Sequence, residues 1–298
     1  ILERFKSLNK LSDQKKGSLL AFVAVMFITP DSLLIRLSDI ETWGMLFYRG
    51  AIPFFIVLIG LLLFYRQNFI NAFLKVGTVG IFYAISFSIC NITFIVSIQN
   101  TNVANTLIMI ALAPMLSAIL GAIFLKEMPS KGTWIAIFIT FLAALFIFYD
   151  SLQVGNLFGN IMGFVTAAGL AVNAVLIRYA KDRDLLPSAV MGKLGVAVFA
   201  FFFVENFNLI GTDQIYIPIM CIICVALPFV LVTIAPRFIP AEEVNLFFLL
   251  ETIIGPIWVW LVVKEQPTLE TIIGGAVIII TLGIHSFIKL REPEKIIN

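Results

Sequence analysis

Few side chains in this sequence can do chemistry, and several of those stand inside long apolar stretches. If the stretches cross a bilayer, a charge at mid-depth costs roughly 2.5–3.5 kcal/mol on insertion scales, so each needs a partner or a task. Glu251 is the most informative. At helical spacing its face carries Phe247, Phe248, Gly255 and Trp258. A carboxylate among aromatic rings can hold an ammonium group, helped by cation–π attraction. It can also carry a proton. A protonated Glu251 hydrogen-bonded to a neighbouring helix is the plainer alternative.

Other polar residues join it as candidates. Asp31 follows Pro30, which removes a backbone donor and can kink a helix. Asn173 lies 142 positions later, at an equivalent place in the second half of the chain. The two could form one site or merely pack helices together. Arg49 can pair with Asp31 or with a substrate carboxylate, and a structural or gating ion pair is the expected role. Lys193 is expected to snorkel toward the membrane surface. Tyr83, Phe87, Cys90, Asn91 and Phe94 share one helical face, which makes Tyr83 and Asn91 candidate binding residues. Asn105 is a further candidate.

Some motifs carry structure only. Gly155, Gly159, Gly163, Ala167 and Ala171 recur every fourth residue, a seam for close helix contact. Cys221 and Cys224 have the spacing of a metal pair, but the chain has one His and three Cys, all three in apolar runs. No phosphate loop, nucleophile elbow or paired-carboxylate site is present, so neither an enzyme nor a cofactor is expected.

The elements that must position these residues follow from composition. The chain has 298 residues, 60% hydrophobic and 13% charged. Ordinary soluble domains are roughly 45–50% apolar and about 25% charged. A bilayer accommodates such a surface; water does not. The apolar runs fall at about 18–37, 43–65, 76–98, 102–124, 131–149, 157–179, 187–205, 215–237, 241–263 and 269–289. Each is close to the roughly 20 residues that span the hydrocarbon core. The fold class is therefore an all-α membrane protein with ten transmembrane helices. The first 17 residues are polar and basic, so no cleavable leader is expected.

Lys and Arg set the orientation. With the N-terminus inside, sixteen of the 20 fall on inner segments, and only Arg36 and Lys264 on outer loops. Both termini are expected in the cytoplasm, with the helices in the plasma (inner) membrane. The net charge of +2 gives no reason to expect a nucleic-acid partner.

The two halves resemble each other. Leu34-Ile35-Arg36 ends the first run and Leu176-Ile177-Arg178 the sixth; Phe22-Val23 and Phe164-Val165 match at the same offset. Lys126-Glu127-Met128-Pro129 follows the fourth run, and Lys264-Glu265-Gln266-Pro267 the ninth. Five helices per half is an odd number, so the second copy enters the membrane from the opposite side. The expected parts are a cytoplasmic segment 1–17, inverted five-helix repeats 18–149 and 150–289, and a cytoplasmic tail 290–298. Inverted repeats recur in secondary transporters, with the substrate site near the midplane between the halves.

These features, with the string Phe47-Tyr48-Arg49-Gly50 in the second run, resemble the drug/metabolite transporter superfamily in its EamA-type branch. The resemblance covers nearly the whole chain. It implies that helices 1, 3, 4, 6, 8 and 9 line a central cavity, and that substrates are amino acids, amines, other small metabolites or drugs. The expected function is secondary transport of a small polar organic metabolite, an amino acid or amine first, by alternating access. Protons are a candidate coupling ion. An exporter of cationic drugs is the alternative within transporters. A channel or membrane sensor is the alternative outside them, and a membrane enzyme is disfavoured by the short, plain loops. A monomer and a homodimer both fit.

Overall fold

Lipid offers no hydrogen bonds, so a chain this apolar must satisfy its backbone within each segment, which helices do. The computed structural model describes residues 13–126, 128–154, 156–180, 183–234 and 241–291, and every regular element among them is helical. Residues 1–12 and 292–298, Glu127, Gly155, Lys181 and Arg237, all used in the sequence reading, lie outside the described residues.

The helices are α1 (Asp13–Ile28), α2 (Asp31–Leu37), α3 (Thr42–Tyr65), α4 (Phe69–Lys75), α5 (Gly77–Asn100), α6 (Val103–Ile110) and α7 (Ala113–Phe124) in the first half. The first half ends with α8 (Lys131–Val154), and the second opens with α9 (Leu157–Tyr179) and α10 (Leu186–Phe201). Then come α11 (Asp213–Ile219), α12 (Leu227–Ile234), α13 (Ala241–Val263) and α14 (Leu269–Arg291). Among the described residues, six helical stretches of 20 to 34 residues are long and apolar enough to cross a membrane, and four shorter apolar helices accompany them. Their outer faces carry large exposed side chains, among them Phe82, Phe138, Leu63 and Ile280, the face a lipid-embedded helix presents.

Three of the predicted runs are broken, and proline is the physical reason. Pro30 separates α1 from α2, and the Thr29 hydroxyl donates to the Met26 carbonyl at the break, 3.0 Å away. Pro114 opens α7, and tight turns at Leu112 and Met115 join it to α6. Pro218 ends α11, and a π-helical segment, Met220–Ala226, links it to α12, whose second residue is Pro228. A π segment holds one extra residue per turn and often marks a functional position. The stretch 66–75, expected as a plain loop, is a 3-10 turn followed by α4, with Ile70 and Leu74 exposed and Phe69 and Phe73 packed inward.

The repeat is visible in the backbone. Lys126 and Lys264 both adopt the left-handed conformation, φ 59° and 63°, at the ends of α7 and α13. That is the usual stop conformation of a helix, and non-glycine residues seldom adopt it. Four residues on, Ser130 and Thr268 each accept from the amide N–H of the residue three further along, Thr133 and Thr271, both at 3.2 Å. Each thus caps the helix that follows.

The packing repeats as well. In the first half α5 lies on α9 of the second; in the second, α12 lies on α1 of the first. Likewise α6 and α7 lie on α9, while α13 lies on α1 and α2. The equivalent pairs α3 with α10, and α8 with α14, pack on each other across the pseudo-two-fold.

Candidate functional site

The site is built where α2, α3, α5, α10, α13 and the π segment approach one another. The string Phe47-Tyr48-Arg49-Gly50 on α3 shows how. Phe47 sits edge-on to Phe207, 5.0 Å between centroids, and the Tyr48 hydroxyl donates to the Phe207 carbonyl at 2.5 Å. Gly50 lets α3 touch α10: a Cβ there would lie 2.5 Å from the Ala197 nitrogen and 2.8 Å from the Lys193 carbonyl. No larger residue fits without parting the helices.

Arg49 between them turns inward. Its two terminal nitrogens donate to the two carboxylate oxygens of Asp31, at 2.6 and 2.8 Å. Both residues are buried. A planar guanidinium matched to a carboxylate in this fork is the strongest ion-pair geometry a protein has. The guanidinium also lies 5.9 Å from the centre of the Phe94 ring. Of the two roles open to Arg49 in the sequence, the pairing with Asp31 is the one that the geometry contains.

Lys193 does not snorkel. It sits in the middle of α10, only 4% exposed, and donates to Asn91 Oδ1 at 2.5 Å. The Phe87 ring lies 5.4 Å from its nitrogen. Snorkelling is blocked because α10 is hemmed in on both sides of Lys193. A Cβ at Gly192 would lie 2.8 Å from Phe87, and one at Gly195 would lie 2.5 Å from the Ser88 hydroxyl. The face of α5 read from the sequence is therefore the face that meets the cations: Phe87 and Asn91 at Lys193, Phe94 at Arg49. Tyr83, buried, stacks on Phe87 at 5.9 Å.

Glu251 stands mid-way along α13, partly buried, within electrostatic reach of Asp31 and Arg49. Among the described residues it makes no hydrogen bond or ion pair. Gly255, one turn on, carries α13 close to Leu107 of α6 and the Ser32 hydroxyl of α2. Phe247 and Phe248 pack against Ala21 of α1, as Leu20 does, and Phe247 meets Phe22 edge-on at 6.4 Å. Trp258 is 40% exposed, and no ring contact or hydrogen bond among the described residues joins it to the cluster. The buried stripe of α13 runs through Thr252, Gly255 and Val259 instead.

Asn173 is buried on α9. Its Nδ2 donates to the Cys90 sulfur at 3.7 Å, while its Oδ1 has no partner among the described residues. Asn105 belongs elsewhere. It donates to the Thr101 hydroxyl at 3.3 Å and accepts from the Thr271 hydroxyl at 2.6 Å. Thr101 in turn donates to Asn160 at 2.8 Å. This network lies at the end of the bundle where α2 stops. There Arg36 lies 2.9 Å from Glu265, off the axis of its Nε–H, and donates to the Thr101 carbonyl at 2.5 Å. Glu265 also accepts from the Val103 amide at 2.7 Å. In the sequence both residues mark the internal repeat, and nothing there signals their contact. Together these contacts lace α2, α6, α9 and α14 shut at one end.

Small residues serve the wall. Gly159 and Gly163 of α9 touch Asn100, Ser97 and Met109, and Ala167 and Ala171 are fully enclosed. Cys221 and Cys224 are buried in the π segment, within electrostatic reach of Asp31 and Arg49. Among the described residues no three His, Cys, Asp or Glu side chains come together in a metal-holding group.

The comparisons with known proteins agree with this architecture. A sequence model of the EamA-like transporter family matches twice, over residues 15–149 and 157–287. No curated protein matches the chain. A solved crystal structure, described only as that of a protein, is similar in fold. Its TM-score is 0.64 at 12% identity, over 94% of this chain and 99% of that one. With two family matches that between them cover nearly the whole chain, ten apolar helical runs and two inverted five-helix halves, the protein belongs to the EamA-like transporter family, membrane transporters of the drug/metabolite superfamily.

Proposed function

We propose that this protein is a secondary transporter that moves a small polar organic metabolite, an amino acid or amine, by alternating access. The halves 18–149 and 150–289 are the two bodies that rock about the centre, with both termini on the cytoplasmic side of the plasma (inner) membrane. The solute binds at Glu251, with Asp31, Asn91, Asn173, Phe247 and Tyr83 as its surroundings and the Asp31–Arg49 pair as a fixed strut. Protons are the candidate coupling ion, and Glu251 is the residue that would carry them.

One observation carries the reading. Glu251 is a carboxylate in the middle of a membrane helix that no described residue pairs. Asp31, the other acid of the cluster, is committed to Arg49. An unpaired carboxylate at that depth is costly unless a ligand or proton meets it. An amine-bearing solute supplies the missing charge.

The test is a thermal-shift screen of the purified protein against amino acids and amines. A ligand that binds only the folded state raises its apparent stability. Stabilisation by a subset of these solutes, lost in Glu251→Ala, is the expected result. Equal shifts in wild type and Glu251→Ala would remove Glu251 from the site.

A further inference from the structure

We infer that Lys193, held by Asn91, is the docking point for a carboxylate, so that the solute is a zwitterionic amino acid rather than a simple amine or a cationic drug. This rests on the transporter reading above and adds the acid end of the solute to it.

Arg49 and Lys193 each stand seven positions into equivalent apolar runs, and Asp31 and Asn173 are equivalents 142 positions apart. In the first half the cation has its counter-ion: Arg49 is forked onto Asp31. In the second half the equivalent of Asp31 is an uncharged amide. Asn173 faces the Cys90 sulfur, and no described residue donates to its buried Oδ1. The pseudo-symmetry is thus broken in charge at one position, and the ammonium of Lys193 is what that break leaves uncompensated.

The surroundings of Lys193 say the same. An ammonium has three N–H donors. Among the described residues, Asn91 Oδ1 takes one and the Phe87 ring offers its face. No carboxylate among them pairs with Lys193, and its burial and the crossing at Gly50 keep it from the membrane surface. A buried charge in a protein is paired or gives up its charge, so Lys193 keeps its ammonium only when an anion meets it.

The class of anion follows from charge. Both terminal nitrogens of Arg49 are already engaged, so among the described residues of the cluster Lys193 is the one cation without a carboxylate, which suits a monoanion. A phosphate dianion would leave a negative charge unmatched in a low-dielectric site. Glu251, on α13 where it packs against α1, α2 and α6, meets the ammonium; Lys193, on α10 where it packs against α3 and α5, meets the carboxylate. Asn91, whose Nδ2 is tied to the Phe87 carbonyl at 2.7 Å, is a positioning residue that aims the Lys193 ammonium.

The experiment uses the full chain in liposomes, with counterflow of radiolabelled alanine, leucine and phenylalanine. Competitors are the matched decarboxylated amines: ethylamine, isoamylamine and phenethylamine. At least one amino acid is expected to show saturable counterflow, its amine competing at least tenfold less well. Lys193→Met is expected to lower that flux at least tenfold, and Lys193→Arg to restore part of it. Amines that compete as well as their amino acids in the wild type, a comparison that needs no variant to fold, overturn the inference and leave the transporter reading intact. So does a folded Lys193→Met with flux within twofold of wild type. Absence of saturable flux for every amino acid and amine overturns the transporter reading, and this inference with it.

Discussion

Arg49 and Asp31 close a two-bond fork, 2.6 and 2.8 Å, between α3 and α2, immediately beyond the Pro30 break. The pair fixes a kinked half-helix to a continuous one. Asp31→Asn would leave the guanidinium buried without a counter-charge, a change that costs about 3–5 kcal/mol. We predict a large fall in melting temperature for Asp31→Asn. Asp31→Asn with Arg49→Gln should recover part of it, because the double change leaves no orphaned charge. A double variant no more stable than Asp31→Asn alone would show that the pair is not coupled.

Glu251→Gln keeps the size and removes the charge. A hydrogen bond to a charged group is worth about 1.5–3 kcal/mol. Solute affinity should therefore fall roughly ten- to a hundredfold, with melting temperature in the absence of solute little changed. Isothermal titration of the purified variant checks the first, differential scanning the second. Unaltered affinity would assign Glu251 to helix packing.

Gly50 sits at the crossing of α3 and α10, where an added Cβ would meet the Ala197 nitrogen at 2.5 Å. Overfilling a packed site costs about 1–3 kcal/mol. Gly50→Ala should be destabilised and Gly50→Val more so. The control Gly60→Ala meets nothing within 4 Å and should melt like wild type. Equal melting of Gly50→Val and Gly60→Ala would contradict the close crossing.

Arg36, Glu265, Thr101 and Val103 lace one end of the bundle, the outer one in the proposed orientation. Glu265→Gln weakens two of those contacts and should shift the population toward an outward-open form. The buried native thiols Cys90, Cys221 and Cys224 report on it. An impermeant maleimide added outside should label Glu265→Gln roughly tenfold faster than wild type, a shift worth about 1.4 kcal/mol. Equal labelling rates would mean that this lacing does not gate the core.

Much of the fold was legible in the sequence because lipid fixes the length and apolarity of a crossing helix. The Lys-Glu-x-Pro strings were legible as a repeat, but their physical sense was not. They are left-handed helix stops at Lys126 and Lys264, followed by hydroxyl caps at Ser130 and Thr268. Proline placed the kink at Pro30, while the π segment between Pro218 and Pro228 has no periodic signature. Site residues were harder. Helical spacing puts Trp258 on the face of Glu251, but spacing does not say which way that face points, and the buried stripe passes through Thr252, Gly255 and Val259. Lys193 looked like a snorkelling cation because the rule weighs side-chain length against distance to the membrane surface. It does not weigh Gly192 and Gly195, which bring α5 down on both sides of the lysine. Asn105 was a polar residue in an apolar run like the others, and only its partners Thr101 and Thr271 set it apart.

The most direct measurement of the central claim is counterflow in proteoliposomes. Vesicles holding the wild-type protein are loaded with unlabelled amino acid and diluted into a trace of the labelled one. An alternating-access carrier gives a transient, saturable accumulation of label above equilibrium, and Glu251→Ala abolishes it. Label that only equilibrates, with a conductance across a planar bilayer, would contradict the account and make the protein a channel.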